Sequence, residues 1–235
     1  MSGRALPLAA TCGARPAGSV PPLGPRLRRA LAGLLAAGAL SLLSGPPLSG
    51  AASAEVAPPP ELRVTWEYSC QSTDKGPSRF VLTGSAIEDG EVVFASEWHG
   101  KSATRHLPLS AWPLAYFSRV EAPGFTRLRA IDWGTLAFGK LAVGETATAW
   151  VRQFHTRWGR NRWKWTAEIV EVTDEETEGF GTLQVYVIEA RVHSAELRYG
   201  WTLVNHYAPE LNMITYIKHH DSDDRVEECH LVSRK

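Results

Sequence analysis

The chain is poor in the motifs around which most cofactor enzymes are built. It has no Walker loop, no GxGxxG fingerprint, no HExxH and no CxxC. Phosphate cradling, dinucleotide binding and a standard zinc or redox site are therefore unsupported, and no cofactor is expected. Cysteine is scarce, at three in 235 residues. No apolar run approaches the ~20 residues of a membrane-spanning helix; ALAGLLAAGALSLL, Ala30 to Leu43, is the nearest. No acidic residue occurs before Glu55. No segment keeps a helical period over more than about ten residues, which argues against a helical fold.

What the first 54 residues do contain is a positive flank (Arg4, Arg15, Arg26, Arg28, Arg29), the short apolar core, a helix-breaking SGPPLSG and a small-x-small site at Ala52-Ser53-Ala54. That order is the layout of a secretory signal peptide, with cleavage expected near Ala54. The membrane is met only through this segment, if it is kept. The chain carries 25 basic and 25 acidic residues. Five of the basic ones lie in the leader, which leaves the mature part at 20 against 25, a balance of −5. Such a domain is a poor nucleic-acid binder, because that binding neutralises phosphates. Cys12 lies in the leader, so Cys70 and Cys229 remain, near the two ends of the mature chain. An even pair in an exported chain points to a disulfide, with two buried thiols as the alternative. The expected address is periplasmic or secreted.

Residues 55–61, EVAPPPE, form a Pro-rich linker. The domain spans 62–235. In LRVTWEYSCQ, Leu62, Val64, Trp66, Tyr68 and Cys70 share one face and Arg63, Thr65, Glu67, Ser69 and Gln71 the other, as in a half-buried strand. Similar runs follow at 79–87, 91–98, 125–131, 146–155, 162–172, 182–192, 201–207, 212–219 and 225–233. The first two of these are joined by Asp89-Gly90, a hairpin signal. Residues 107–118 read as a short helix interrupted by Pro113 or as an irregular crossing. Short strands with turn residues between them predict an all-β domain: a single antiparallel, strongly curved sheet, a half-barrel or open barrel of about ten strands.

RWGRNRWKW, residues 157–165, packs three tryptophans and four cations into nine positions. Gly159-Arg160-Asn161 reads as a turn. Trp163, Trp165, Ala167 and Ile169 then face the apolar side, and Arg162, Lys164, Thr166 and Glu168 face water. This reads as a solvated hairpin rather than a polyanion grip. The acidic run 174–178 reads as a solvated loop. His219, His220, Asp221, Asp223 and Asp224 could ligate a metal, but adjacent strand residues point to opposite faces, and the cluster falls where a hairpin must turn. No metal site is assigned. Eight histidines without a nucleophile elbow support no catalytic triad, and no catalytic residue is assigned.

All nine tryptophans lie after the leader. They either fill the core or line a concave, mostly apolar ligand face. The candidates to line it are Trp66, Tyr68, Trp98, Trp163, Trp165, Trp201 and Tyr207.

Three stretches together resemble uncharacterised bacterial exported β half-barrel proteins and, distantly, the lipoprotein-carrier half-barrel. They are GKLAVGETATAWV (139–151), GFGTLQVYVIEARV (179–192) and NHYAPELNMITYIKH (205–219). The chain departs from the pattern at Lys140, where Pro precedes the Leu-x-x-Gly, and at Asn212, where Gly is common. The resemblance implies a curved antiparallel sheet and an envelope address, and no catalytic residue. The expectation is an exported, monomeric, non-enzymatic protein that binds an apolar or amphiphilic ligand, or an envelope protein, on its aromatic face. The alternatives are a carbohydrate-binding module, which needs a flat row of exposed rings, and a hydrolase using His206 or the 219–224 cluster.

Overall fold

The structure, a computed structural model, describes residues 57–235 apart from 115 and 195. The proposed leader lies outside the described residues. Twelve strands follow one another around a ring: β1 (Thr65–Ser72), β2 (Gly76–Glu88), β3 (Glu91–Trp98), β4 (Lys101–Pro108), β5 (Arg119–Ala122), β6 (Phe125–Thr135), β7 (Thr146–His155), β8 (Gly159–Thr177), β9 (Gly181–Ser194), β10 (Tyr199–Ala208), β11 (Met213–Asp221) and β12 (Val226–Arg234). Each pairs antiparallel with its neighbour in sequence, and β12 returns to pair with β1.

The sheet is thus a closed barrel, which corrects the expectation of a half-barrel of about ten strands. Two strands escaped the sequence reading. KSATRHLP (β4) has no apolar alternation, and β5 is only four residues long. Closure removes the unpaired edges that a long open sheet would expose. The disulfide between Cys70 and Cys229 lies on the closing seam, where the two residues are register partners.

The alternation expected for β1 holds from Trp66 to Cys70, but Leu62 lies in a turn ahead of the strand and is exposed. Trp66, Tyr68 and Cys70 point inward and are buried. So are Trp163, Trp165, Ala167 and Ile169 of β8, while Arg162 lies outside on Asp132 at 3.1 Å. Two local expectations fail. The β7–β8 turn is Thr156-Arg157-Trp158, not Gly159-Arg160-Asn161, because Gly159 at φ 71° already starts β8. The acidic run 174–178 is not a loop up to Thr177, since β8 continues through it in register with β9.

The outward face of the wall is mostly polar and carries ion pairs such as Arg79–Glu67, Arg152–Asp132 and Lys218–Glu228, with an apolar strip at Leu128, Trp133 and Phe154 on β6 and β7. The inward face is mostly apolar. That is the reverse of an outer-membrane barrel, which is apolar outside. Among the described residues no helix is long and apolar enough to cross a membrane.

A wall of eight strands can be filled by its own side chains, but a wider ring leaves a lumen. Here one end of the lumen is plugged. Between β4 and β5 the chain turns once as a 3-10 helix at Leu109–Ala111, and the Leu114 carbonyl that follows accepts from Asn205 Nδ2 on β10 (3.4 Å). Ala111, Trp112, Leu114 and Tyr116 from this segment join Leu136, Phe138 and Leu141 from the β6–β7 connection in the core. Asn212 ties the plug to the wall. Its Oδ1 accepts from Trp112 Nε1 (3.2 Å) and Tyr207 Oη (2.9 Å), and its Nδ2 donates to the Pro59 carbonyl (2.6 Å). The other half of the lumen stays open.

Candidate functional site

The open half is a cavity of about 390 Å³ at the end where β1–β2, β7–β8, β9–β10 and β11–β12 turn. Phe80, Trp98, Phe117, Trp165, Trp201, Leu203 and Ile217 supply its apolar lining. The tryptophans pack on one another: Trp165 and Trp201 at 6.1 Å and a near-right angle, and Trp163 behind Trp201 at 4.6 Å. Rings held in this way have few rotamers to lose on binding, which favours a preformed pocket.

Three arginines enter the same cavity, Arg105 from β4 and Arg127 and Arg129 from β6. Register explains their meeting. Arg105 sits opposite Val120, and Val120 opposite Arg127, so the three occupy one row across three strands. Directly opposed residues share a face, and buried Val120 fixes that face as inward. Arg129 is two positions further along the same face.

Their partners are neutral. Arg105 Nε donates to Ser96 Oγ (2.9 Å), and the guanidinium lies 5.3 Å over Phe80 and 5.2 Å over Phe117. Arg129 Nε donates to Gln153 Oε1 (2.9 Å) and lies 5.1 Å over Trp165 and 5.9 Å over Trp201. The Nε of Arg127 is buried without a hydrogen-bond partner. Among the described residues none of the three has a carboxylate within ion-pair distance. Burial depresses all three, Arg105 and Arg129 to about 10. Arg127 is lowered by burial first and by its two cationic neighbours second. At neutral pH guanidinium groups stay charged. His155 reports the same field: burial lowers it, and Arg127 and Arg129 lower it further.

Acidic groups occur only at the mouth. Burial works to raise Asp221, yet hydrogen bonds from Tyr199 and from the backbone and side chain around Arg225 hold it below its usual range. Glu227 is raised by burial. Asp74 accepts from Ser72 (2.5 Å). Among the described residues no group of three or more His, Cys, Asp or Glu is placed to hold a metal.

Of the seven residues expected to line a ligand face, Trp98, Trp165 and Trp201 reach the cavity. Trp163 backs it. Trp66, Tyr68 and Tyr207 are packed away in the core, with the Tyr68 hydroxyl donating to the Ile214 carbonyl at 2.8 Å. Of the exposed tryptophans, Trp158 in the β7–β8 turn stacks on His155 at the cavity mouth, and Trp133 on β6 lies on the outer wall opposite Trp150 of β7. The residues proposed for hydrolysis do not converge. His206 faces outward onto Glu175, His220 pairs with exposed Asp224, and only His219 and Asp221 border the cavity.

The arginines were missed because FTRLRAI reads equally well with either face inside. The structure puts Arg127 and Arg129 in and leaves Leu128 exposed on the outer wall, with Phe154 opposite it.

No family model and no curated protein matches this chain. Three solved structures are similar to it. The hypothetical lipoprotein YmcC of Escherichia coli K12 is 9% identical with a TM-score of 0.46, over 73% of this chain and 85% of that one. An inferred lipoprotein of Parabacteroides distasonis is 9% identical with a TM-score of 0.40, over 77% of this chain and 99% of that one. An inferred exported protein of Bacteroides fragilis with a YmcC-like fold is also 9% identical, with a TM-score of 0.41 over the same shares. At such identities and scores these likenesses carry no weight for function, which rests on the cavity.

Proposed function

We propose that this is an exported, non-enzymatic binding protein that holds one small organic ligand inside its barrel. It works in the periplasm or outside the cell as a monomer. The leader supports the address, and the seam disulfide is in keeping with an oxidising compartment. The observation that carries the reading is the half-filled lumen: a plug closes one end, and the remaining 390 Å³ is walled by aromatic and aliphatic side chains. Pockets of a few hundred Å³ with that lining suit small molecules with an apolar or ring-shaped body.

The test is a fluorescence titration with N-phenyl-1-naphthylamine, an uncharged probe that brightens in apolar surroundings. The wild-type protein should bind it saturably at one site. Leu203→Trp, which fills the cavity from the β10 wall, should abolish that signal while leaving the melting temperature near wild type. A probe that binds both proteins equally would place it elsewhere and remove the reading.

A further inference from the structure

We propose that the ligand of this cavity is an organic anion whose charged head group is held by Arg105, Arg127 and Arg129. This rests on the cavity being a ligand site, and it adds the ligand's charge and orientation.

The cavity is electrostatically imbalanced. Three guanidiniums share one wall of a narrow lumen and are surrounded by aromatic rings and one another. Enclosing cations is costly unless they are paired and hydrogen-bonded. A chain selected only for stability would place a carboxylate among them or replace them with apolar residues. Neither has happened, although acids are plentiful nearby. Asp74, Asp221 and Glu227 stay at the mouth, where Lys75 and Arg225 are available to them.

Several donors at or beside these arginines lack acceptors, and one acceptor on the cavity wall, Asn205 Oδ1, lacks a donor. Arg127 Nε, Trp165 Nε1 and the Tyr116 hydroxyl are buried without a hydrogen-bond partner among the described residues. Trp165 and Arg127 line the cavity, and Tyr116 lies edge-on to Trp165 at 5.2 Å under Arg129. A planar or tetrahedral oxyanion accepts several donors at once, and the fork of an arginine suits carboxylate, sulfonate and phosphate alike. The three arginines share this wall with Trp165, and Tyr116 lies directly behind it, so the wall offers a seat for such a group.

The opposite wall says what the rest of the ligand is. In a ring of twelve, β4 and β10 are six strands apart and so face each other across the lumen. Leu203 on β10 and Ile217 on β11 are apolar, next to Trp201, the ring that Arg129 overlies at 5.9 Å. A small inorganic anion would leave that wall wet. An amphiphilic anion covers it while its head meets the arginines.

The experiment compares two probes that differ by one charged group. 8-Anilinonaphthalene-1-sulfonate carries a sulfonate, and N-phenyl-1-naphthylamine is the same skeleton without it. The full mature chain and the Arg127→Met variant are titrated with each, at fixed ionic strength. The wild type is expected to bind the sulfonate more tightly. Arg127→Met is expected to lose roughly tenfold or more of that affinity, the scale of a hydrogen bond to a charged group. Its affinity for the uncharged probe should change little. Because the substitution removes an unpaired enclosed charge, the variant should melt at the wild-type temperature or above it without ligand. Laurate should displace the sulfonate probe where inorganic phosphate does not.

Three results would overturn the proposal. The first is equal binding of both probes with no effect of Arg127→Met, which leaves a binding pocket that ignores charge. The second is a lower melting temperature for Arg127→Met, which makes the arginine structural. The third is displacement by phosphate as effective as by laurate, which makes the seat an inorganic-anion site. If the wild type binds neither probe, the ligand reading itself fails and this proposal goes with it.

Discussion

The bond between Cys70 and Cys229 closes the barrel where its first strand meets its last, and removing it should be the most visible single perturbation. The two cysteines are separated by 159 positions, so the cross-link restrains nearly the whole folded domain in the denatured state. In the chain-entropy model, a loop of that length contributes about 17 cal/mol/K, or about 5 kcal/mol at 25 °C. Engineered cross-links often deliver less than this model gives, so a loss of about 3–5 kcal/mol is expected. For a domain of this size each kcal/mol moves the melting temperature by about 2–4 °C, so the drop should be roughly 6–20 °C. The assay is circular-dichroism melting of the oxidised protein, the protein in dithiothreitol, and the Cys70→Ala/Cys229→Ala double variant. Both cysteines are buried, so the double variant also loses packing and should melt slightly below the reduced protein. A drop under about 3 °C on reduction would refute the reasoning. It would mean that the β1–β12 ladder, from Trp66 opposite Arg234 to Ser72 opposite Glu227, holds the seam closed by itself.

Other consequences are more local. Asn212→Ala removes the acceptor for two buried donors and a donor to Pro59, and leaves alanine at φ 49°; a loss on the order of 2–4 kcal/mol is expected in urea denaturation. Gly134→Ala would set a Cβ 2.2 Å from the Thr148 carbonyl oxygen at φ 82°, so it should cost on the order of 2 kcal/mol or more, or fail to fold. His155 and His219 are both lowered, by burial first and neighbouring arginines after it, with Asp221 opposing at His219. A lowered histidine binds protons more readily in the unfolded chain, so stability should fall as pH drops from about 7 toward 5 through the unfolded value near 6.5. Glu227, raised by burial, works the other way over the lower part of that window. His219→Gln should flatten the decline; a decline unchanged in that variant would remove His219 as a cause.

Much of the barrel wall was legible because inward residues alternate with outward ones wherever one face is apolar. That is why Trp66, Tyr68, Trp163, Trp165 and Ile169 could be placed from their spacing alone. Closure was not legible. No local pattern records that β12 returns to β1, and a ten-strand count fell two short because β4 and β5 have no apolar face of their own. The plug was visible only as an irregular stretch around Pro113. Tryptophan content pointed to an aromatic-lined interior but did not separate cavity from core. Trp201 is partly buried and borders the lumen, while Trp66 is packed solid. The arginines were hidden for a physical reason. Alternation assigns the apolar face to the inside, and at β6 the barrel inverts that rule, putting Leu128 in water and Arg129 among rings. Such an inversion is costly for the fold, and sites where local rules are broken at a cost are where function is expected.

The most direct test of the account is the mass of the mature protein after incubation with a total organic extract of an expressing bacterium, taken native and then denatured. The account predicts a native mass above the denatured one by a single small molecule, which on release is detected as an anion. Arg127→Met treated in the same way should return without it. Equal native and denatured masses for the wild type, or a bound molecule that carries no negative charge, would contradict it.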